Sequence, residues 1–189
     1  MTPVSKLLLA LLFSLSMAAT ASAQVIVNNG GAAQDCYMST KAGNPGGLGT
    51  IKTCQTALTE ALSNKDLAAT HVNLGILLMR KGDYVDAQSS YEDAIKLRPK
   101  LAEAYINYAA SLIYTGRYTE AVSAVDTAIE LGTDQMPEAL YNRAIAYDRL
   151  KDYKSAYKDL KQALVLRPDW APAMKSISGY QVSTRSKSQ

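Results

Sequence analysis

One histidine, one tryptophan, one phenylalanine and two cysteines occur in the 189 residues. Each shortage excludes a class of chemistry. With His71 as the single imidazole, a serine or cysteine nucleophile lacks its usual general base. His71 falls at a position expected to pack between paired helices. No cluster of His, Cys, Asp and Glu has metal-ligand spacing. The carboxylates Asp83, Asp86, Glu92 and Asp93 fall in helix starts and on solvated faces. The glycine-rich stretch 43–53 lacks the Gly-Lys-Ser/Thr that holds phosphate and magnesium, and follows no strand pattern. A non-enzymatic protein with no cofactor and no metal is expected. Charge of one sign is also missing. Twenty bases face 17 acids, for a net charge of +3. The two signs are interspersed along the chain, which argues against a nucleic-acid patch and a polybasic membrane anchor.

Long apolar runs are scarce too. Lys6 precedes a short run, Leu7 to Leu15, and Ala21-Ser22-Ala23 has the small-x-small form of a cleavage site. The run is well short of the roughly 20 residues a spanning helix needs. The reading is an export leader over residues 1–23, cut to leave Gln24, with no stable membrane insertion afterwards. That places the protein in the periplasm or outside the cell. Cys36 and Cys54 both lie in the exported part, where an oxidising compartment lets them pair. A structural disulfide is expected, worth about 3 kcal/mol on a loop-entropy argument.

Residues 24–50 are rich in Gly, Asn, Ala and Thr and show no helical periodicity. From Ile51, apolar residues recur at three and four (Cys54, Ala57, Leu58, Ala61, Leu62), predicting a capping helix that ends at Asn64-Lys65-Asp66. Residues 24–66 thus read as a loop-rich segment with a disulfide and one helix. From Leu67 to Tyr180 the pattern is helical almost throughout, with prolines only between helices or at their starts.

This middle region repeats itself. Asn73, Asn107 and Asn142 are spaced by 34 and 35 residues. The same offsets relate Gly75, Ala109 and Ala144; Gly82, Gly116 and Lys151; Tyr84, Tyr118 and Tyr153; Ala87, Ala121 and Ala156; and Ala94, Ala128 and Ala163. Leu97-Arg98-Pro99 returns as Leu166-Arg167-Pro168. A fixed period of this length means stacked supersecondary units, each too small to bury its own apolar face. The units fall at 67–101, 102–135 and 136–169, each a helical hairpin. A capping helix at 170–180 and an unstructured tail at 181–189 follow.

The period, small residues and tyrosines resemble the tetratricopeptide repeat family. Its first-helix pattern is met by His71, Leu74-Gly75 and Leu78, then Tyr105, Tyr108-Ala109 and Leu112, then Leu140, Arg143-Ala144 and Tyr147. Its second-helix pattern is met by Ala87, Tyr91, Ala94 and Pro99, and again by Ala156, Leu160, Ala163 and Pro168. The resemblance implies an all-α solenoid whose first helices line a concave groove. It places Asn73, Asn107 and Asn142 in that groove as a ladder of amides able to hold a peptide backbone. Around them it places Ile76, Arg80, Ile106, Ala110, Ile113, Tyr114, Tyr141, Ile145 and Arg149. The lysine and arginine clamp that some members use for a C-terminal carboxylate is incomplete, since Val72 and Glu138 fall at its positions. The implied function is a scaffold or adaptor of the cell envelope that binds a protein or peptide. Two alternatives stay open: a structural subunit assembled through its convex face or ends, and an accessory to a redox or folding enzyme acting through Cys36 and Cys54.

Overall fold

The computed structural model describes residues 31–180, together with the backbone of Val4–Ser5 and Gln181–Val182. The expected leader with its cleavage site, apart from those two backbone positions, and the tail beyond Val182 lie outside the described residues. Among the described residues there are nine helices: α1 (Ala32–Lys41), α2 (Leu48–Ala57), α3 (Asn64–Lys81), α4 (Tyr84–Leu97), α5 (Ala102–Tyr114), α6 (Tyr118–Glu130), α7 (Met136–Arg149), α8 (Tyr153–Leu166) and α9 (Ala171–Ile177). Strands β1 (Val4–Ser5) and β2 (Gln181–Val182) add a two-residue antiparallel pairing.

The helical pairs α3–α4, α5–α6 and α7–α8 are the three repeat units. Glycine closes the first two turns. Gly82 and Gly116 stand in the left-handed region, at φ of 95° and 80°, where a side chain is disfavoured. Within a pair, facing residues are matched in size. A Cβ at Gly75 would lie 2.4 Å from the ring of Tyr91, which is fully buried. The equivalent pairs are Ala109 with Val125 and Ala144 with Leu160. A larger residue in the second helix therefore goes with a smaller one in the first, as close packing requires.

Neighbouring pairs share their cores. Leu101, which precedes α5, and Ala104 of α5 pack into the cluster built by α3 and α4, and Ala139 and Ala146 of α7 into that of α5 and α6. Polar links accompany this packing. Gln88 of α4 donates to Ser111 O (3.2 Å) and Thr115 Oγ1 (2.7 Å), and accepts from Arg117 (3.0 Å). Arg143 of α7 binds Asp159 of α8 through two hydrogen bonds (2.7 and 3.0 Å) and Asp126 of α6 (2.6 Å).

Three sequence expectations are corrected at the N-terminal end. Residues 24–50 are not all loop, because α1 and the start of α2 fall there. The apolar face of α1 has helical spacing, but small and polar residues carry it: Ala33, Cys36, Tyr37 and Thr40 are its buried positions. The capping helix α2 runs earlier than expected, from Leu48, and leaves Ala61 and Leu62 outside. Asn64-Lys65-Asp66 does not end a helix but begins α3, because Ser63 caps it by accepting from Asp66 N at 3.1 Å. The Cys36–Cys54 disulfide ties α1 to α2, and both cysteines are fully buried. The loop between them presses on α3, where a Cβ on Gly46 would collide with the Leu77 carbonyl. At the other end, the expected helix at 170–180 is the shorter α9, and Gln181–Val182, expected to begin the unstructured tail, form β2.

Candidate functional site

Helices α3, α5 and α7 pack on one another in succession, whereas α4, α6 and α8 make no comparable mutual contact. The first helices therefore sit on the inner side of the curve and the second helices outside. The asparagines, at one phase of the first helices, fall on that inner side.

The amides are not displayed to solvent as the sequence implied. Asn73, Asn107 and Asn142 are 0%, 4% and 4% exposed. Asn142 spends its Nδ2 on Ile106 O at 3.3 Å, so it links α7 to α5. Asn107 differs: its buried Nδ2 has no hydrogen-bond partner. A buried donor left unpaired costs about 1–3 kcal/mol.

Much of the first repeat is also withdrawn. Ile76 is buried, as are Ile106 and Ala110 in the second repeat. Arg80 is half-buried and donates to Thr40 O (3.0 Å) and Asn44 O (3.1 Å) at the end of α1. It holds the N-terminal hairpin against α3, and burial lowers its pKa. Arg80 therefore leaves the list of groove residues available to a ligand.

What remains accessible lies on the second and third repeats. Ile113, Tyr114, Tyr141 and Ile145 are partly exposed, and Arg149 is exposed. Aromatic rings flank them. Tyr114 stacks on Tyr84, with centroids 4.5 Å apart, and Tyr141 meets Trp170 at 5.0 Å. Burial raises the Tyr114 pKa, with smaller contributions from Tyr84 and Tyr141. Arg167 lies over the Trp170 ring at 4.8 Å and pairs with Glu138 at 2.7 Å.

Sequence reasoning missed Trp170 as part of this surface. It sits in the linker after the third repeat, outside the repeating columns. Its one available signal was being the single tryptophan of the chain. His71 is half-buried in α3, and burial is the main cause that keeps its pKa below the ordinary 6.5. Among the described residues, no three His, Cys, Asp or Glu side chains are grouped to hold a metal.

Fold and site together define a short helical-hairpin solenoid with a partly aromatic inner face. The family model described as tetratricopeptide repeat matches residues 66–131, and a second model of the same description matches 137–169. Together they span just over half the chain, which belongs to the tetratricopeptide repeat family. No curated protein matches the sequence. Among solved structures, the TPR domain of Arabidopsis OM64 is 25% identical with a TM-score of 0.59, covering 61% of this chain and 95% of that one. MamA is 23% identical with a TM-score of 0.62, covering 75% and 80%. The second TPR domain of human RPAP3, in complex with an HSP70 peptide, is 24% identical with a TM-score of 0.57, covering 61% and 96%. Domains of this family are protein-binding scaffolds.

Proposed function

We propose that this protein is a non-enzymatic, exported scaffold that binds an extended segment or helix of another cell-envelope protein on the inner face of its second and third repeats. The observation that carries this reading is the set of partly exposed Ile113, Tyr114, Tyr141 and Ile145, flanked by the rings of Tyr84 and Trp170. Micromolar binding needs about 8 kcal/mol. Apolar and aromatic contacts must supply most of the affinity. The peptide in complex with the RPAP3 domain supports a peptide as the kind of ligand. Export rests on the leader-like N-terminus and agrees with the Cys36–Cys54 bond. The full burial of both sulfurs disfavours a redox accessory, because a partner thiolate must reach one of them.

The test is capture of partners from an envelope extract by the parent and by a Tyr141→Asp/Ile145→Asp variant of unchanged helicity. Partners retained by the parent and lost by the variant are expected. Titrating the parent with such a partner should also change the fluorescence of Trp170, which is the only tryptophan and touches Tyr141. Equal capture by both proteins, with no change at Trp170, would move the working surface to the convex face or the ends.

A further inference from the structure

The small net charge hides a polarity along the solenoid. Between Gln24 and Asp148 the chain carries ten bases and fourteen acids. From Arg149 onward it carries nine bases and three acids. The excess of bases thus lies at the C-terminal end of the sequence, and part of it gathers on one helix face in the fold. Lys154, Lys158 and Lys161 follow one another at four and three residues on the outer face of α8, and all three are exposed. Spacing of this kind puts them on one stripe. Among the described residues none of the three forms an ion pair. Some bases elsewhere are engaged: Lys81 with Asp83, Lys96 with Asp93, Arg117 with Glu120, Arg143 with Asp126 and Asp159, and Arg167 with Glu138. Of the acids next to the stripe, Asp159 is buried under Arg143, while Asp152, the N-cap of α8, accepts from Ser155 N and interacts electrostatically with Lys154.

The same end exposes apolar side chains. Val165 extends the lysine stripe by four residues and is 73% exposed. Leu166, next in the chain, and Met174 of α9 are 51% and 44% exposed, and Lys175 beside Met174 is exposed. Lysines with large apolar residues on one exposed face favour the boundary between water and lipid.

We propose that the outer face of α8, with the exposed apolar residues where α8 meets α9, docks on the surface of an anionic lipid bilayer. Three observations select this occupant. A convex helix cannot enclose a peptide but can lie against a plane. An acidic face of a second copy is a poor counterpart. On α4 and α6, Glu92 is bonded by Tyr108, Asp93 by Lys96, Glu120 by Arg117 and Asp126 by Arg143. A nucleic acid would leave Val165 and Leu166 without an apolar partner. The attachment is peripheral, since no described helix is long and apolar enough to cross a membrane. It leaves the inner face free, so it does not depend on the groove reading.

The test is co-sedimentation of the full chain with vesicles of phosphatidylcholine alone or mixed with phosphatidylglycerol. The apolar run Leu7–Leu15 is present in parent and variants alike, so differences between them report on α8. The parent should prefer the anionic vesicles, and added salt should erase the preference. A lysine near an anionic surface contributes about fivefold. Lys154→Gln/Lys158→Gln/Lys161→Gln should therefore weaken binding about a hundredfold, with an unchanged circular dichroism spectrum. Val165→Ser/Leu166→Ser, a change that leaves charge intact, should weaken it further when added. A parent without anionic preference, or a triple variant that keeps it, overturns the proposal. So does tighter binding to polyglutamate or an oligonucleotide than to the anionic vesicles at matched charge and salt, which would assign the stripe to an acidic protein or a nucleic acid.

Discussion

Lys151 stands in the left-handed region at φ 65°, at the turn where the earlier repeats have Gly82 and Gly116. A side chain there costs about 1–2 kcal/mol, partly offset because glycine loses more chain entropy on folding. Lys151→Gly is therefore expected to stabilise the protein by up to about 1 kcal/mol. Gly116→Ala should destabilise it by a similar amount, and the urea midpoints of both variants check the pair. Lys151 lies outside the stripe of three lysines, so this change separates turn strain from surface charge. The same scale explains the asparagine column. Its three residues were visible as a repeat, but repetition did not say whether the amides serve a ligand or the fold. Asn142 serves the fold through Ile106 O, and Asn107 is the member left with an unpaired donor.

At the level of elements, α6, α7 and α8 are joined through Arg143. This residue takes the place where the first repeat has Leu74, and that departure was legible in the sequence. Its consequence was not, because it depends on Asp126 and Asp159, which lie on two other helices. The side chain of Asp159 is 4% exposed. Removing the arginine alone leaves a buried carboxylate without its counter-charge, which costs about 3–5 kcal/mol. Arg143→Met should thus be strongly destabilising in chemical denaturation. Arg143→Met/Asp159→Leu should recover most of the loss, because an apolar pair of similar volume avoids the desolvation of both charges. A double variant no better than the single one would mean that Asp126 or the surrounding packing carries the effect.

Over the whole molecule, the N-terminal hairpin α1–α2 covers the first open end of the stack. It is held by the disulfide, by Arg80 on Thr40 O and Asn44 O, and by Glu60, which accepts from Ala32 N at 2.9 Å. This hairpin buries few large side chains, so the covalent link matters more than it would in a larger core. Cys36→Ser/Cys54→Ser is expected to lower stability by about 2–4 kcal/mol. Hydrogen exchange should locate the loss first in α1, α2 and the outer face of α3, with α5 to α8 protected as before. Uniform loss across all repeats would indicate that the cap and the stack unfold as one unit.

The sequence by itself determined the repeat, the hairpin units, their turns and the pairing of the two cysteines. The first three follow from local periodicity and from small residues where helices must meet, and both survive in a linear pattern; the pairing followed from there being two cysteines in a segment read as exported. It did not reveal α1, whose buried face is made of Ala, Cys, Tyr and Thr rather than large aliphatic residues. Only the tertiary structure decided which groove residues a ligand can reach. Burial of Ile76, Ile106 and Ala110 and the use of Arg80 depend on neighbouring helices, not on the phase of their own. It also decided the charge of the outer surface. Asp159 alternates with lysines in the sequence, but its withdrawal into the Arg143 pair leaves Lys158 and Lys161 facing water without an ion-pair partner among the described residues.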